Sequence, residues 1–281
     1  MPFPTIQQAL QQASQQLSMH ESARLDAEVL LAKVLNKPRS HLHAWPDKRL
    51  DQAQSLAFQH WISRRANGEP VAHLTGEREF WSLSLEVTPD TLIPRPDTEV
   101  LVEQALRLLP ADQSLKLADL GTGSGAIVLA LARERPHWEM YALDRAPACI
   151  DVARRNALRM KTGNLGFVLG DWSTAFADSS LDAIVSNPPY VNAGDPHLLS
   201  GDVRFEPLTA LVAGNDGLDD IRQLIKDAQR VLKSGGHLLL EHAPQQTGHI
   251  HNLLKQMNFK DISTHRDLAG HERVSSARKS L

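Results

Sequence analysis

The sequence predicts an α/β protein: a doubly wound, mostly parallel sheet preceded by a small all-α domain and a β-hairpin connector. Three observations predict it. From Leu115 onward, short apolar runs alternate with helical segments, the pattern of strands joined by crossover helices. The first of those runs meets a glycine-rich loop, Gly121-Thr122-Gly123-Ser124-Gly125, at the point where a helix should open. Before residue 70, by contrast, apolar residues recur at helical spacing with almost no β-type alternation.

In chain order, Ile6, Leu10, Ala13 and Leu17 mark a first helix. Ala27, Leu30, Leu31, Val34 and Leu35 mark a second, after the polar Glu21-Ser22. A third is expected from Asp51 through Leu56, Phe58 and Trp61, with Pro38 and Pro46 as punctuation. Residues 1–70 are read as a helical N-terminal domain without a catalytic motif, which binds a partner, as a substrate-recognition domain, or props the catalytic domain. Residues 71–96 are the connector. There Glu79 to Val87 alternates as a half-buried strand, Thr88-Pro89-Asp90 turns, and Leu92-Ile93 is expected to return as a second strand. Residues 97–281 are the catalytic domain. It opens on the acidic start of a helix containing Val100, Leu101, Ala105 and Leu108.

The strands expected next are Lys116–Leu120, Glu139–Leu143, Gly166–Leu169, Leu181–Ser186 and Gly236–Glu241. Helices are expected at Ala126–Arg133, Ala148–Met160 and Leu218–Leu232. The tail, with Gly270, Arg273-Val274 and Arg278, is read as an antiparallel hairpin on one edge.

Composition narrows the function classes. The chain has 281 residues, 42% of them hydrophobic, and no apolar stretch long enough to span a bilayer. Met1 to Thr5 offers no basic region before an apolar core, so no signal peptide is expected and the cytoplasm is the default compartment. The single cysteine, Cys149, excludes an internal disulfide and reads as a buried small hydrophobe. Thirteen histidines show no metal-ligand spacing, so no metal is expected. A net charge of −3 gives no global footprint for nucleic acid.

The most informative motif is Asn187-Pro188-Pro189-Tyr190, which follows the apolar run Leu181–Ser186. Two prolines stop the strand from pairing further or turning helical, because they lack an N–H and fix φ. That frees the carbonyls of Asn187 and Pro188 beside a carboxamide and an aromatic ring. Such a set suits a flat group bearing an NH2. The glycine loop upstream lets the backbone approach a ligand closely. Asp119, ending the first strand, can orient that loop or accept from an ammonium, and Asp144 ends the next strand where a ribose-binding acid belongs. Gly170-Asp171-Trp172 follows the third strand and offers a carboxylate and a ring to an adenine. Together these residues suggest a methyl donor held next to an amide or amine acceptor. The loop by itself, Gly121-x-Gly123-x-x-Ala126, fits a dinucleotide fingerprint equally well.

The order Asp119-Leu-Gly-Thr-Gly-Ser-Gly125, Asp144, Gly170-Asp171-Trp172 and Asn187-Pro-Pro-Tyr190 resembles the class I S-adenosylmethionine-dependent methyltransferases. More narrowly, the chain is similar to the protein-(glutamine-N5) methyltransferases that modify peptide chain release factors. Leu92 to Glu99, Glu206-Pro207-Leu208-x-Ala210-Leu211 and Asp267 to Val274 belong to the same likeness, which covers nearly the whole chain. It departs at His242-Ala243-Pro244, where the family pattern has a glycine and a nearby aromatic.

The resemblance implies a Rossmann-like fold and S-adenosyl-L-methionine as cofactor. It places the cofactor on Asp119, Gly121, Thr122, Gly123, Ser124, Gly125, Asp144, Asp171, Trp172 and Asn187, and the acceptor glutamine on Asn187, Pro188, Pro189 and Tyr190. The implied partner is a release factor, modified at the glutamine of a Gly-Gly-Gln loop by a monomeric enzyme without direct nucleic-acid or membrane contact. Alternatives at this point are a ribosomal-protein glutamine methyltransferase and a DNA or RNA amino-methyltransferase acting on a flipped base. A nicotinamide dehydrogenase on the same loop leaves Asn187-Pro-Pro-Tyr unexplained.

Overall fold

The computed structural model describes residues 3–280, which divide into two compact units. One comprises the chain up to Glu77 together with Leu199–Phe205; the other comprises Arg78–Leu198 and the chain from Glu206 onward.

Among the described residues, the first unit holds five α-helices: α1 (Ile6–Gln16), α2 (Ala23–Leu35), α3 (Arg39–Ala44), α4 (Gln52–Ala66) and α5 (Val71–Thr75). α1 and α4 both begin with reciprocal capping boxes. Thr5 with Gln8, and Asp51 with Gln54, exchange side-chain and backbone bonds that satisfy the free N–H groups of the first turn. Ile6, Leu10, Leu17, Leu30, Leu31, Phe58 and Ile62 meet in one core. Beside it Arg65 is buried between Asp26 (2.7 Å) and Asp202 (2.6 Å), which fastens Leu199–Phe205 to the helices. α3 and α5 are one-turn elements, too short to register as a period in the sequence.

The expected connector is built differently from its reading. α5 occupies its start, and the hairpin is β1 (Glu77–Phe80) with β2 (Leu83–Glu86). The expected single strand Glu79–Val87 is therefore cut in two. Its turn is Trp81-Ser82, with both φ values positive at 51° and 56°. Neither residue signals such a turn. Remote acids hold Trp81 there: its backbone N–H donates to Glu99 (2.8 Å) and its indole to Glu134 (3.1 Å). Leu92-Ile93 is not a strand, because the Ile93 N–H is taken by the Glu206 carboxylate at 2.9 Å.

The second unit continues with α6 (Glu99–Leu108), β3 (Lys116–Leu120), α7 (Ala126–Glu134), β4 (Glu139–Asp144), α8 (Pro147–Met160), β5 (Leu165–Leu169) and β6 (Leu181–Ser186). It ends with α9 (Asp219–Val231), β7 (Leu232–Glu241), α10 (Thr247–Gln256), β8 (Phe259–Arg266) and β9 (Glu272–Lys279). The seven-stranded sheet runs β5-β4-β3-β6-β7-β9-β8. Its first five strands are parallel, and β9 and β8 close the edge as the expected antiparallel hairpin.

Successive strand residues point to opposite faces, and both faces are covered. Leu117, Met140, Ala183, Val185 and Leu239 pack with α6, α7 and the β1–β2 hairpin. Ala118, Leu120, Ile184, Leu238 and Leu240 pack with α9 and α10. The strand order reverses between β3 and β6, so their carboxyl ends diverge into a crevice. That crevice is where the motifs meet.

Candidate active site

A cavity of about 120 Å³ lies at the carboxyl ends of β3, β4 and β6. Its wall includes Gly121 to Ser124, Asp144, Asp171, Trp172, Asn187 and Pro189. Of the expected cofactor-binding residues, Asp119 and Gly125 stand behind this wall, and of the expected acceptor residues so do Pro188 and Tyr190.

The glycine loop is fixed from below. Asp119 is fully buried, and its Oδ2 accepts from the Thr122 hydroxyl (2.7 Å) and from the Val128 N–H (3.3 Å) in the first turn of α7. Its other oxygen, Oδ1, is buried without a partner. Burial, helped by the charge of Asp144, pushes this carboxyl up to about 7 despite the two donors. Asp144 joins the loop to the end of β4, accepting from Gly123 N–H (3.0 Å) and Ala146 N–H (2.9 Å). A carboxylate has about four lone-pair sites, so those two bonds leave acceptor capacity on the side facing the cavity.

Two positions here require glycine. Gly121 has φ +76°, a left-handed conformation that glycine adopts without strain, and the Trp172 ring lies in ordinary contact over it. Gly125 has φ +85°, and a Cβ there would crowd Leu129 at 3.0 Å and Ala153 at 3.2 Å, opening the contact between α7 and α8. Cys149 is buried at the cavity edge, its Sγ donating to the Asp90 carbonyl at 3.4 Å. Burial and the Asp144 charge push the thiol up to about 12, so it stays protonated and inert.

Around Asn187-Pro-Pro-Tyr, the Asn187 Nδ2 donates to Thr98 Oγ1 at 3.2 Å. Pro188 and Pro189 are buried. Tyr190 turns its hydroxyl to Glu241 Oε1 at 3.3 Å, and burial, helped by the Glu241 charge, pushes that phenol well above its ordinary value. Gln246 Nε2 donates to the carbonyls of Tyr190 and Gly217, each at 3.0 Å, while its Oε1 accepts from Ala243 N–H. The His242-Ala243-Pro244 departure is thereby settled: Pro244–Gln246 forms a one-turn helix that presents Gln246 to the motif's backbone. His242 is buried against Ser275 at 2.8 Å.

Sequence reading quoted Thr98 and Glu206 in the family likeness without giving them a role, and gave none to Glu241 or Gln246. Glu206 has a fully buried side chain that bonds Ile93 N–H and pairs with Arg95, tying the Thr209-Ala210 rim of the cavity to its opposite side. Glu241 carried a signal of the same kind as Asp119 and Asp144: an acid at the carboxyl end of a buried strand. Among the described residues, no group of three or more His, Cys, Asp or Glu is placed to hold a metal ion, and no helix is long and apolar enough to cross a membrane.

Known proteins resemble the chain along almost its full length. Residues 8–76 match the family described as PrmC N-terminal domain, and residues 111–276 match a methyltransferase domain. The release factor glutamine methyltransferase of Escherichia coli (strain K12) is 48% identical over 96% of this chain and 97% of its own. That of Pseudomonas aeruginosa is 51% identical over 92% of this chain and 94% of its own. Among solved structures, a methyltransferase from Pyrococcus furiosus superposes with a TM-score of 0.54 at 18% identity, covering 79% of this chain and all of its own, and shares the fold. With near-complete relatives at about half identity, an N-terminal family domain and a methyltransferase sheet whose switch point gathers the expected motifs, the chain belongs to the release factor glutamine methyltransferase family.

Proposed function

We propose that this protein transfers a methyl group from S-adenosyl-L-methionine to the side-chain amide nitrogen of the glutamine in the Gly-Gly-Gln loop of peptide chain release factors. It works as a monomer in the cytoplasm. The observation that carries the reading is the placement of Asn187 in one cavity with the glycine loop and Asp144. That arrangement puts a carboxamide-binding motif beside a nucleoside-binding one, all supplied by a single chain.

The residues present fit the cofactor. Asp119 holds a buried oxygen with no partner, and Asp144 keeps lone pairs beside the cavity. Asp144 would take the ribose hydroxyls, Gly121 to Gly125 would let the backbone lie close to the cofactor, and Asp171 with Trp172 would flank the adenine. When bound, the cofactor supplies an electrophilic methyl carbon on its sulfonium.

The chain's own work is positioning. A glutamine amide nitrogen is a poor nucleophile because its lone pair is delocalised. Asn187 Oδ1 and the Pro188 carbonyl accept the two N–H hydrogens, which aims the nitrogen and stabilises positive charge as it develops. Pro189, which lines the cavity, would pack against the flat amide, with Tyr190 supporting the motif from behind. The proton that must leave already points at an acceptor, so no strong base is needed before attack.

Incubating the full chain with purified release factor and S-adenosyl-L-methionine tests this. Mass spectrometry should show one added methyl on the Gly-Gly-Gln peptide. Methylation elsewhere, or of a ribosomal protein in preference, would replace the assignment.

A further inference from the structure

The turn between β8 and β9 has no part in the chemistry above, but it stands at the cavity's end of the sheet. β7 runs parallel to β6 and ends at Glu241; β9 runs antiparallel to β7, with Val274 opposite Glu241. The turn Asp267–His271, which leads into β9, therefore projects beyond the carboxyl edge at which the cavity opens. In the order β6-β7-β9 it lies two strands from the end of β6, about 10 Å along the sheet from Asn187.

One acid braces this turn. Asp267, its side chain almost fully buried, accepts from His271 N–H at Oδ1 (2.8 Å) and from Arg273 Nε at Oδ2 (2.9 Å). Its backbone N–H donates to the His271 carbonyl and its carbonyl accepts from Gly270 N–H, both at 2.9 Å, with Gly270 at φ +86°. Arg266 donates to the Gly270 carbonyl at 2.7 Å. Arg273 also reaches outward, its Nη2 bonding Asp97 Oδ2 at 2.8 Å. Asp97 belongs to the turn Pro96–Thr98, and both Thr98 and the preceding Arg95 line the cavity. The β8–β9 turn is thus fastened to the cavity wall.

What the brace presents is apolar. Leu268, at the apex, is fully exposed, and Ala269 beside it is exposed. The charges around them are spent on one another, Arg266 with Glu272 and Arg273 with Asp267 and Asp97. Leu208, exposed next to the cavity-lining Thr209 and Ala210, carries apolar surface to another stretch of the rim. Single exposed leucines are ordinary. Leu268 differs in being held out in water by a backbone already fixed, which removes ordering entropy that a contact would otherwise have to offset.

We propose that the Asp267–His271 turn is a docking knob for the folded body of the release factor, with Leu268 entering an apolar recess beside the acceptor loop. This role rests on the reading of release factor as the methyl acceptor, and adds a contact on the sheet unit to the recognition assigned to the helical one. The occupant follows from position. A protein partner buries about 800 Å² on each side, a patch about 30 Å across. A partner of that size whose glutamine sits at Asn187 covers a turn about 10 Å away. A flipped base or a short peptide would leave the turn in water.

The test is steady-state methylation of purified release factor at saturating S-adenosyl-L-methionine by the full chain and by Leu268→Asp and Leu268→Met. Leu268→Asp should raise KM for release factor about tenfold and leave kcat near the parent value. Cofactor affinity by calorimetry and melting temperature should not move, because the exposed side chain supports nothing in its own chain. Leu268→Met keeps apolar reach and should keep the parent KM. With an active parent, an unchanged KM in Leu268→Asp overturns the docking role alone. So does a parent dimer that Leu268→Asp dissociates, since the occupant is then a second copy of this chain. If the parent itself leaves release factor unmodified, the reading of the acceptor falls and the docking role falls with it.

Discussion

At the scale of single residues, acids that end buried strands stand in the cavity wall or outside its lining. Asp144 differs from Asp119 in reaching the cavity wall. Asp144→Ala should weaken S-adenosyl-L-methionine binding with the fold intact, and unchanged affinity by calorimetry in a folded variant would remove its assigned role. Asn187 acts later in the reaction. Asn187→Ala should cost about 2–4 kcal/mol of transition-state stabilisation by analogy with a lost oxyanion-hole donor, with little change in cofactor affinity. Asn187→Asp keeps an acceptor oxygen and should retain more activity than alanine. Near-normal single-turnover chemistry in Asn187→Ala would reduce the residue to a turn former before two prolines.

Asp119 and Glu241 also make a statement about pH. Both are raised by burial to about 7, well above their values in an unfolded chain. Between about pH 4 and 7 the folded state therefore binds more protons than the unfolded state, and stability falls as pH rises through that window. Asp119→Asn, which still offers an oxygen to Thr122 or Val128, should flatten this slope. Thermal melts of the ligand-free protein at pH 5.5 and pH 8 check the sign. An equal slope in parent and variant would mean that Asp119 is ionised throughout.

At the scale of elements, the hairpin is held by one asparagine as much as by its own pairing. Asn156, fully buried on α8, accepts from Glu86 N–H (2.7 Å) and donates to the carbonyls of Glu86 (3.0 Å) and Ser124 (2.9 Å). One side chain thus ties β2 and the glycine loop to the same helix. Asn156→Ala would leave three backbone groups unmatched in a dry place. It should destabilise the protein by about 1–3 kcal/mol per group left unsatisfied, relieved where water enters. Denaturant unfolding measures this, and a loss below 1 kcal/mol would show that the hairpin stands without it.

At the scale of the whole molecule, the proposed function gives chemistry to the sheet unit and partner recognition to the helical one. Among the described residues, the helical unit supplies none to the cavity wall. A chain starting at Arg78 should still bind S-adenosyl-L-methionine but lose efficient methylation of intact release factor, because the surface that would grip the partner is gone. The deletion also removes the helices that hold Asp202 through Arg65. Cofactor affinity must therefore be measured first, to show that the sheet survives. Equal rates on intact release factor for the truncated and full chains would end the recognition role of the N-terminal helices.

The sequence by itself determined the parallel core and the places where ligands approach it. Strand and helix periods are local properties, and so are the breaks made by Gly121, Gly125 and Pro188-Pro189. They sufficed for five strands, three crossover helices, the edge hairpin and the three motifs of the cavity. The β1–β2 turn was not legible, because Trp81 and Ser82 adopt left-handed backbone that no turn residue announces and that distant Glu99 and Glu134 hold. Nor was Leu92-Ile93, whose backbone donor goes to Glu206 from far along the chain. The tertiary structure alone decided which buried acids and hydroxyls face one another. Thr98 and Gln246 look ordinary in sequence, and meet Asn187 and the backbone of Tyr190 because the sheet order brings the ends of β6 and β7 together beside the start of α6. Hydrogen bonds between remote side chains depend on distances of about 3 Å, and no one-dimensional pattern carries that information.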